Sequence, residues 1–122
     1  MAVSVRKQLQ DALTPHLPGY KVIPNSRNVD VPDARFVQLS LMEIEKLPEA
    51  PAGAHLATFT VTVVTALTTP NKAEDDLDAA VADLLHAIDG IDWLDWENAR
   101  KVLYGERHLG YDVTVKAVTE KN

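Results

Sequence analysis

Between Thr69 and Thr119 the apolar period of the chain switches from helical to extended, so this half fits neither an all-helix nor an all-strand domain. Leu77, Val81, Leu84, Leu85 and Ile88 recur at three- and four-residue spacings, which predicts a helix buried along one stripe. Thr69 or Asn71 can cap it, Asn71 with Glu74 having the capping-box spacing, and Pro70 suits the first turn. Glu74, Asp75, Asp76 and Asp78 lie in the opening turns, where the helix dipole favours negative charge. Gly90 ends the helix. A loop with Trp93 and Trp96 leads to strands near 99–104 and 109–118, joined by a turn at Gly105-Glu106-Arg107. In the second strand Leu109, Tyr111, Val113, Val115 and Ala117 alternate with His108, Asp112, Thr114 and Lys116.

The first half extends the same scheme. Val5, Leu9, Ala12 and Leu13 share a helical face within 3–13, and Pro15 with Pro18-Gly19 stops that helix near Thr14. Residues 20–23 make a short apolar strand closed by Pro24. The stretch 24–34, rich in Asn, Asp, Ser and Pro, reads as an exposed loop. In the strand 35–44, Val37, Leu39 and Leu41 face one side, and Phe36, Gln38, Ser40 and Met42 the other. A turn over 47–53 leads into the cleanest strand, 54–67, with Ala57, Phe59, Val61 and Val63 on the core side and Thr58, Thr60 and Thr62 on the other. The Thr face meets solvent or a neighbouring subunit. A strand of that length outruns a small core, so either the hairpin projects or the chain bends near Thr65.

The expected fold is therefore α+β: one domain over 1–122, with a mixed or antiparallel sheet of about five strands and two helices packed on it. The element order is α-β-β-β-α-β-β, with a long hairpin between residues 35 and 67.

Charge limits the partners. Twelve Lys and Arg against eighteen Asp and Glu give a net charge of −6, which opposes gripping duplex DNA but suits a wall that DNA slides past. Cysteine is absent, which removes disulfides, thiolate metal sites and a Cys nucleophile and fits a reducing cytosol. The N-terminal residues do not read as a signal peptide, and no apolar run has the length to span a bilayer.

No pattern carries chemistry. The acidic run 74–78 lacks the glycine and alternate spacing of a calcium loop, and Asp89-Gly90-Ile91-Asp92 reads as a helix end and turn. His16, His55, His86 and His108 show no ligand spacing, the serines have no nucleophile-elbow context, and the glycines form no phosphate loop. Trp93 and Trp96 stand among acids, so core packing or a protein interface fits them better than base stacking. The expectation is a non-enzyme with no metal and no cofactor.

Several segments together resemble the tail terminator proteins of long-tailed (siphovirus) bacteriophages, especially those infecting actinobacteria. They are the opening Val5-Arg-Lys-Gln-Leu9 helix, the strand ending Val22-Ile-Pro24, the Thr-rich strand, Pro70-Asn-Lys-Ala-Glu-Asp-Asp-Leu-Asp78, the Trp loop and the closing Tyr111-Asp-Val-Thr-Val115. The resemblance covers nearly the whole chain, and the 70–78 string is its most specific part. It implies a virion protein, assembled in the host cytoplasm, that forms a ring, typically a hexamer, on the head-proximal end of the tail tube. Such a ring ends tube polymerisation and joins the tail to the neck. The implied partners are further copies of itself, the tail tube protein and a neck or head-closure protein, with genomic DNA passing through the lumen unbound and no membrane involved.

Assembly surfaces are spread out, and the family motifs single out no functional residue. The candidate contacts are Thr58, Thr60 and Thr62 towards a neighbouring subunit, Arg27 and Asp30 in loop 24–34, Pro48 and Pro51 in loop 47–54, and Arg35 at the root of the hairpin. Plain solvent exposure is the alternative for each. Other readings are a head-closure or other neck protein, a small non-phage α+β binding module or enzyme subunit, and an acidic DNA mimic. The module or enzyme needs a deep polar pocket with a perturbed titratable group. The mimic needs its carboxylates on one face.

Overall fold

A computed structural model describes residues 5–23, 35–46, 55–67, 69–104 and 108–119. Helix α1 (Val5–Leu13) buries Leu9 and Leu13 one turn apart, with Val5 and Ala12 half-buried beside them. Pro15 stands in a 3-10 turn, Thr14–His16, that seats Leu17 in the core. Gly19 takes φ +84, a left-handed conformation that reverses the chain at no steric cost. Strand β1 (Lys21–Ile23) follows. The amide of Gln10 donates to the Val22 carbonyl at 3.3 Å and ties α1 to that strand.

Strands β2 (Phe36–Lys46) and β3 (His55–Val64) form the long hairpin, helix α2 (Pro70–Asp89) crosses the sheet, and β4 (Leu94–Tyr104) and β5 (His108–Thr119) complete it. The strand order is β1-β2-β3-β5-β4, with β1 parallel to β2 and every other pair antiparallel. This is the expected α+β arrangement of five strands and two helices.

Both helices lie on one face. There Val37, Leu39, Phe59, Val61, Val63, Val113 and Val115 meet Leu77, Ala80, Leu84 and Ile88 of α2 in one fully buried cluster. Small Ala73, Ala80 and Ala87 let α2 approach the sheet closely, so the buried stripe is more alanine-rich than the large apolar residues alone suggest, and Val81 and Leu85 are only half-buried.

Three local readings change. Strand β3 ends at Val64 rather than Leu67, because Thr65 turns its hydroxyl out of the ladder to donate to Asp76 and accept from the Leu67 amide at 3.2 Å. The bend follows at Ala66, just past Thr65, whose amide still donates to the Leu109 carbonyl at 3.1 Å, and the strand has 10 residues. Helix α2 starts at Pro70 with Thr69 as N-cap, so Asn71 is already inside the helix, and the Asn71–Glu74 capping box does not form. Strand β4 begins at Leu94, which puts Trp96 in the sheet rather than in the loop. Gly90 does end α2, in a right-handed conformation (φ −83), its amide donating to the carbonyls of His86 and Ala87 at 3.2 Å.

Two bulges reset side-chain parity, at Met42 in β2 and at Glu97 in β4. Beyond Met42 the acids Glu43 and Glu45 turn away from the helices and Ile44 turns to the helix side, past the end of the helix cover.

Candidate assembly surface

The root of the hairpin is held by a polar cluster. Arg35, the residue before β2, reaches α2 through Nε to Asp76 at 3.2 Å and Nη1 to Asp83 at 3.9 Å. The same Nη1 donates to the Tyr20 hydroxyl at 2.8 Å, and that hydroxyl donates to Asp83 at 2.9 Å. The guanidinium also sits 5.2 Å from the Tyr20 ring centroid, a cation–π distance. Asp76 accepts from Thr65 as well, so one carboxylate joins both ends of the hairpin to α2. Partial burial, then the hydrogen bond to Asp83, pushes the Tyr20 phenol up to about 12. Burial pulls the Arg35 guanidinium down, but its contacts with Tyr20, Asp76 and Asp83 outweigh that and raise it.

Arg35 is thus engaged within its own chain, with part of its side chain still open to solvent. Thr58, Thr60 and Thr62 line up on the face of the sheet opposite the helices, each half-buried. Arg27, Asp30, Pro48 and Pro51 lie outside the described residues.

The strand register orders this second face into rows. Glu43, Thr58, Lys116 and Asp95 form one; Ser40, Thr60, Thr114 and Asn98 the next; Gln38, Thr62, Asp112 and Arg100 the third. Thr62 donates to Asp112 at 2.7 Å across the ladder. Beyond these rows Ile23, Phe36 and Val64 make a small buried apolar cluster of their own, so this face is polar only over part of its length.

At the far end of the hairpin the helices no longer cover the sheet. Met42 and Ile44 are 64% and 51% exposed there, and Val118, on the opposite face of the same end, is 48% exposed. Glu43 and Glu45 stand side by side on β2, and their mutual hydrogen bond and repulsion hold the Glu43 carboxyl above the usual carboxylate range. The sequence pattern that marks this end is the slip of apolar parity from Val37, Leu39 and Leu41 to Ile44. That slip is the signature of the Met42 bulge.

The structure brings His16 and His86 to one open cleft of about 250 Å³, lined also by Leu17, Pro18, Tyr20 and Asp83. Residues 70 positions apart in sequence carry no local spacing that reveals this meeting. Among the described residues no three His, Asp or Glu side chains converge to hold a metal ion. In the acidic run, Asp76 is turned to Arg35 and Thr65, and Glu74 pairs with Lys101 of β4 at 3.7 Å. Trp96 packs against the core, and its indole donates to Asp89 at 3.1 Å. No helix of the described residues is long and apolar enough to cross a membrane.

No protein-family model matches this chain, and no curated protein matches it in sequence.

Proposed function

We propose that this chain is a structural assembly protein, a tail terminator of a long-tailed phage whose copies form a ring on the head-proximal end of the tail tube. The observation that carries the reading is the uncovered end of the hairpin. Met42 and Ile44 are exposed on β2 past the helices, and Val118 is exposed on the opposite face of the same end, on strands held in register. Exposed apolar side chains next to one another on a rigid strand, as Met42 and Ile44 are, suit a contact with another protein. The polar Thr rows and the net charge of −6 suit a channel wall past which DNA slides unbound. Its partners in this reading are further copies of itself, the tail tube protein and a neck protein, and its place is the virion.

Light scattering over a concentration series, with negative-stain imaging, tests the reading. A closed ring with an open centre and a mass of about six 13.4 kDa chains is the expected result, either free or after tail tubes are added. A protein that stays monomeric at every concentration and leaves tube ends uncapped overturns it. Rings that bind a head portal and ignore tube ends assign the chain to the neck instead.

A further inference from the structure

We infer that two copies of this chain pair through the free edge of β4, antiparallel about a two-fold axis, with Asp95 of each copy set opposite Arg100 of the other. A two-fold contact closes on itself, so this pairing stands apart from the ring reading and gives the chain a dimeric state of its own.

The sheet order leaves β4 at a border, joined on one side only, through β5. The amide of Val118 donates to the Trp93 carbonyl, and the carbonyl of Leu109 accepts from Thr65, just past β3. Even-numbered residues of β5 therefore turn their backbone groups to β4 and odd-numbered ones to β3. The register then points Asp95, Asn98, Arg100 and Val102 of β4 inward, and Trp96, Ala99, Lys101 and Leu103 outward. Among the described residues the backbone N–H and C=O groups of these outward four have no partner. Such an edge is a template for another strand.

The strand that fits this edge is a second β4. The bulge at Glu97 sets the outward residues Trp96 and Ala99 three positions apart, where a regular strand repeats every second residue. A regular strand falls out of step with that spacing, but an antiparallel copy of β4 repeats it. With the axis between Glu97 and Asn98, Trp96 of each copy lies opposite Ala99 of the other, large against small, and the two bulges face each other. The Lys101 amide then meets the Leu94 carbonyl, while the amide of Leu94 already donates to Ile91. The same register sets Asp95 opposite Arg100 twice, in pairs without backbone bonds, whose Cα atoms lie about 4.5 Å apart. Both side chains are exposed on the face away from the helices. On β5 they stand beside Lys116 and Asp112, yet among the described residues neither makes an ion pair. Centring the pair on Arg100 or on Lys101 instead sets like charges opposite each other, so charge and bulge select one register.

The absence of cysteine makes the contact directly testable. Asp95→Cys and Arg100→Cys are introduced together, and the protein is oxidised in dilute solution. The double variant is expected to run as a covalent dimer on a denaturing gel, with no larger species. A mixture of the two single variants is expected to cross-link, and neither single variant alone. In dilute solution the unmodified protein is expected to sediment as two 13.4 kDa chains. Arg100→Glu is expected to weaken that dimer about tenfold, with recovery when Asp95→Arg is added. A ladder of covalent multimers overturns the pairing, since only a head-to-tail contact extends. Equal cross-linking by a single variant, or a protein monomeric at every concentration, overturns it too. Rings that form while the double variant yields no covalent dimer overturn the pairing and leave the ring reading standing. Covalent dimers from a protein that never forms rings or caps tubes support the pairing and overturn the ring.

Discussion

Asp76 of α2 accepts from Arg35 Nε at 3.2 Å and from the Thr65 hydroxyl, so a single carboxylate fastens the residues that flank the two hairpin strands to the helix that covers it. Asp76 is well shielded, whereas Arg35 is partly exposed, so the ion pair alone is worth little once water screens it. The larger effect comes from Thr65, which is fully buried. Asp76→Ala removes the acceptor of the Thr65 hydroxyl and is expected to cost about 1–3 kcal/mol. Urea unfolding checks this: the midpoint falls with the slope unchanged. Thr65→Val, which removes the donor as well, is expected to cost less when combined with Asp76→Ala than the two single losses together.

Tyr20 titrates late. Its phenol, ordinarily near 10, is pushed up to about 12 by burial and by the Asp83 carboxylate. A group whose folded pKa is raised contributes stability that is complete below its unfolded pKa and is lost as pH climbs through the folded one. Ionisation of Tyr20 therefore weakens the fold between about pH 10 and 12, and its contribution is complete at neutral pH. Absorbance at a phenolate wavelength during alkaline titration reads it directly. Asp83→Asn is expected to lower the midpoint, and Arg35→Ala to raise it further, because the guanidinium favours the phenolate.

Gly110 has no room for a side chain. A Cβ there would lie 2.9 Å from the Val63 carbonyl oxygen and 3.3 Å from Val64 Cγ2, both on the central strand. Gly110→Ala is expected to destabilise the fold by about 1–3 kcal/mol, because the ladder between β3 and β5 must shift. Gly90→Ala is the control. Its Cβ would meet only carbonyl oxygens at 3.6 and 3.7 Å, and φ is negative there. That change is expected to leave the melting temperature unchanged or slightly raised, by reducing the freedom of the unfolded chain.

Core and contact surface separate cleanly in their responses. Leu84 is fully buried under the sheet, and Leu84→Ala is expected to cost about 2–5 kcal/mol. Met42→Ser and Ile44→Ser lie on the uncovered end and are expected to move stability by no more than about 0.5 kcal/mol while weakening self-assembly. Thermal melts of dilute protein read the first quantity, and light scattering of concentrated protein reads the second.

The sequence by itself determined the two helices, the order of the five strands along the chain and most of the side of each that faces the core, while leaving 94–98 in a loop. Leu77, Leu84 and Ile88 on α2, and the alternation of Phe59, Val61, Val113 and Val115, are buried as their periods require, because burial of apolar surface is local in pattern. The bulges at Met42 and Glu97 are not among the sequence expectations; the slips from Leu41 to Ile44 and from Trp96 to Ala99 become readable only once the pairing register is known. Only the tertiary structure decided the rest. That Asp76 serves Arg35 and Thr65 rather than capping chemistry at the helix start depends on where the hairpin lands on α2. That Met42 and Ile44 stay exposed depends on where the helices stop covering the sheet, which no period encodes. Strand order leaves β1 and β4 at the borders, and it follows from pairings between segments far apart in the chain. Residue type and spacing set what each segment buries; which edges and side chains remain uncovered is a property of the assembled sheet.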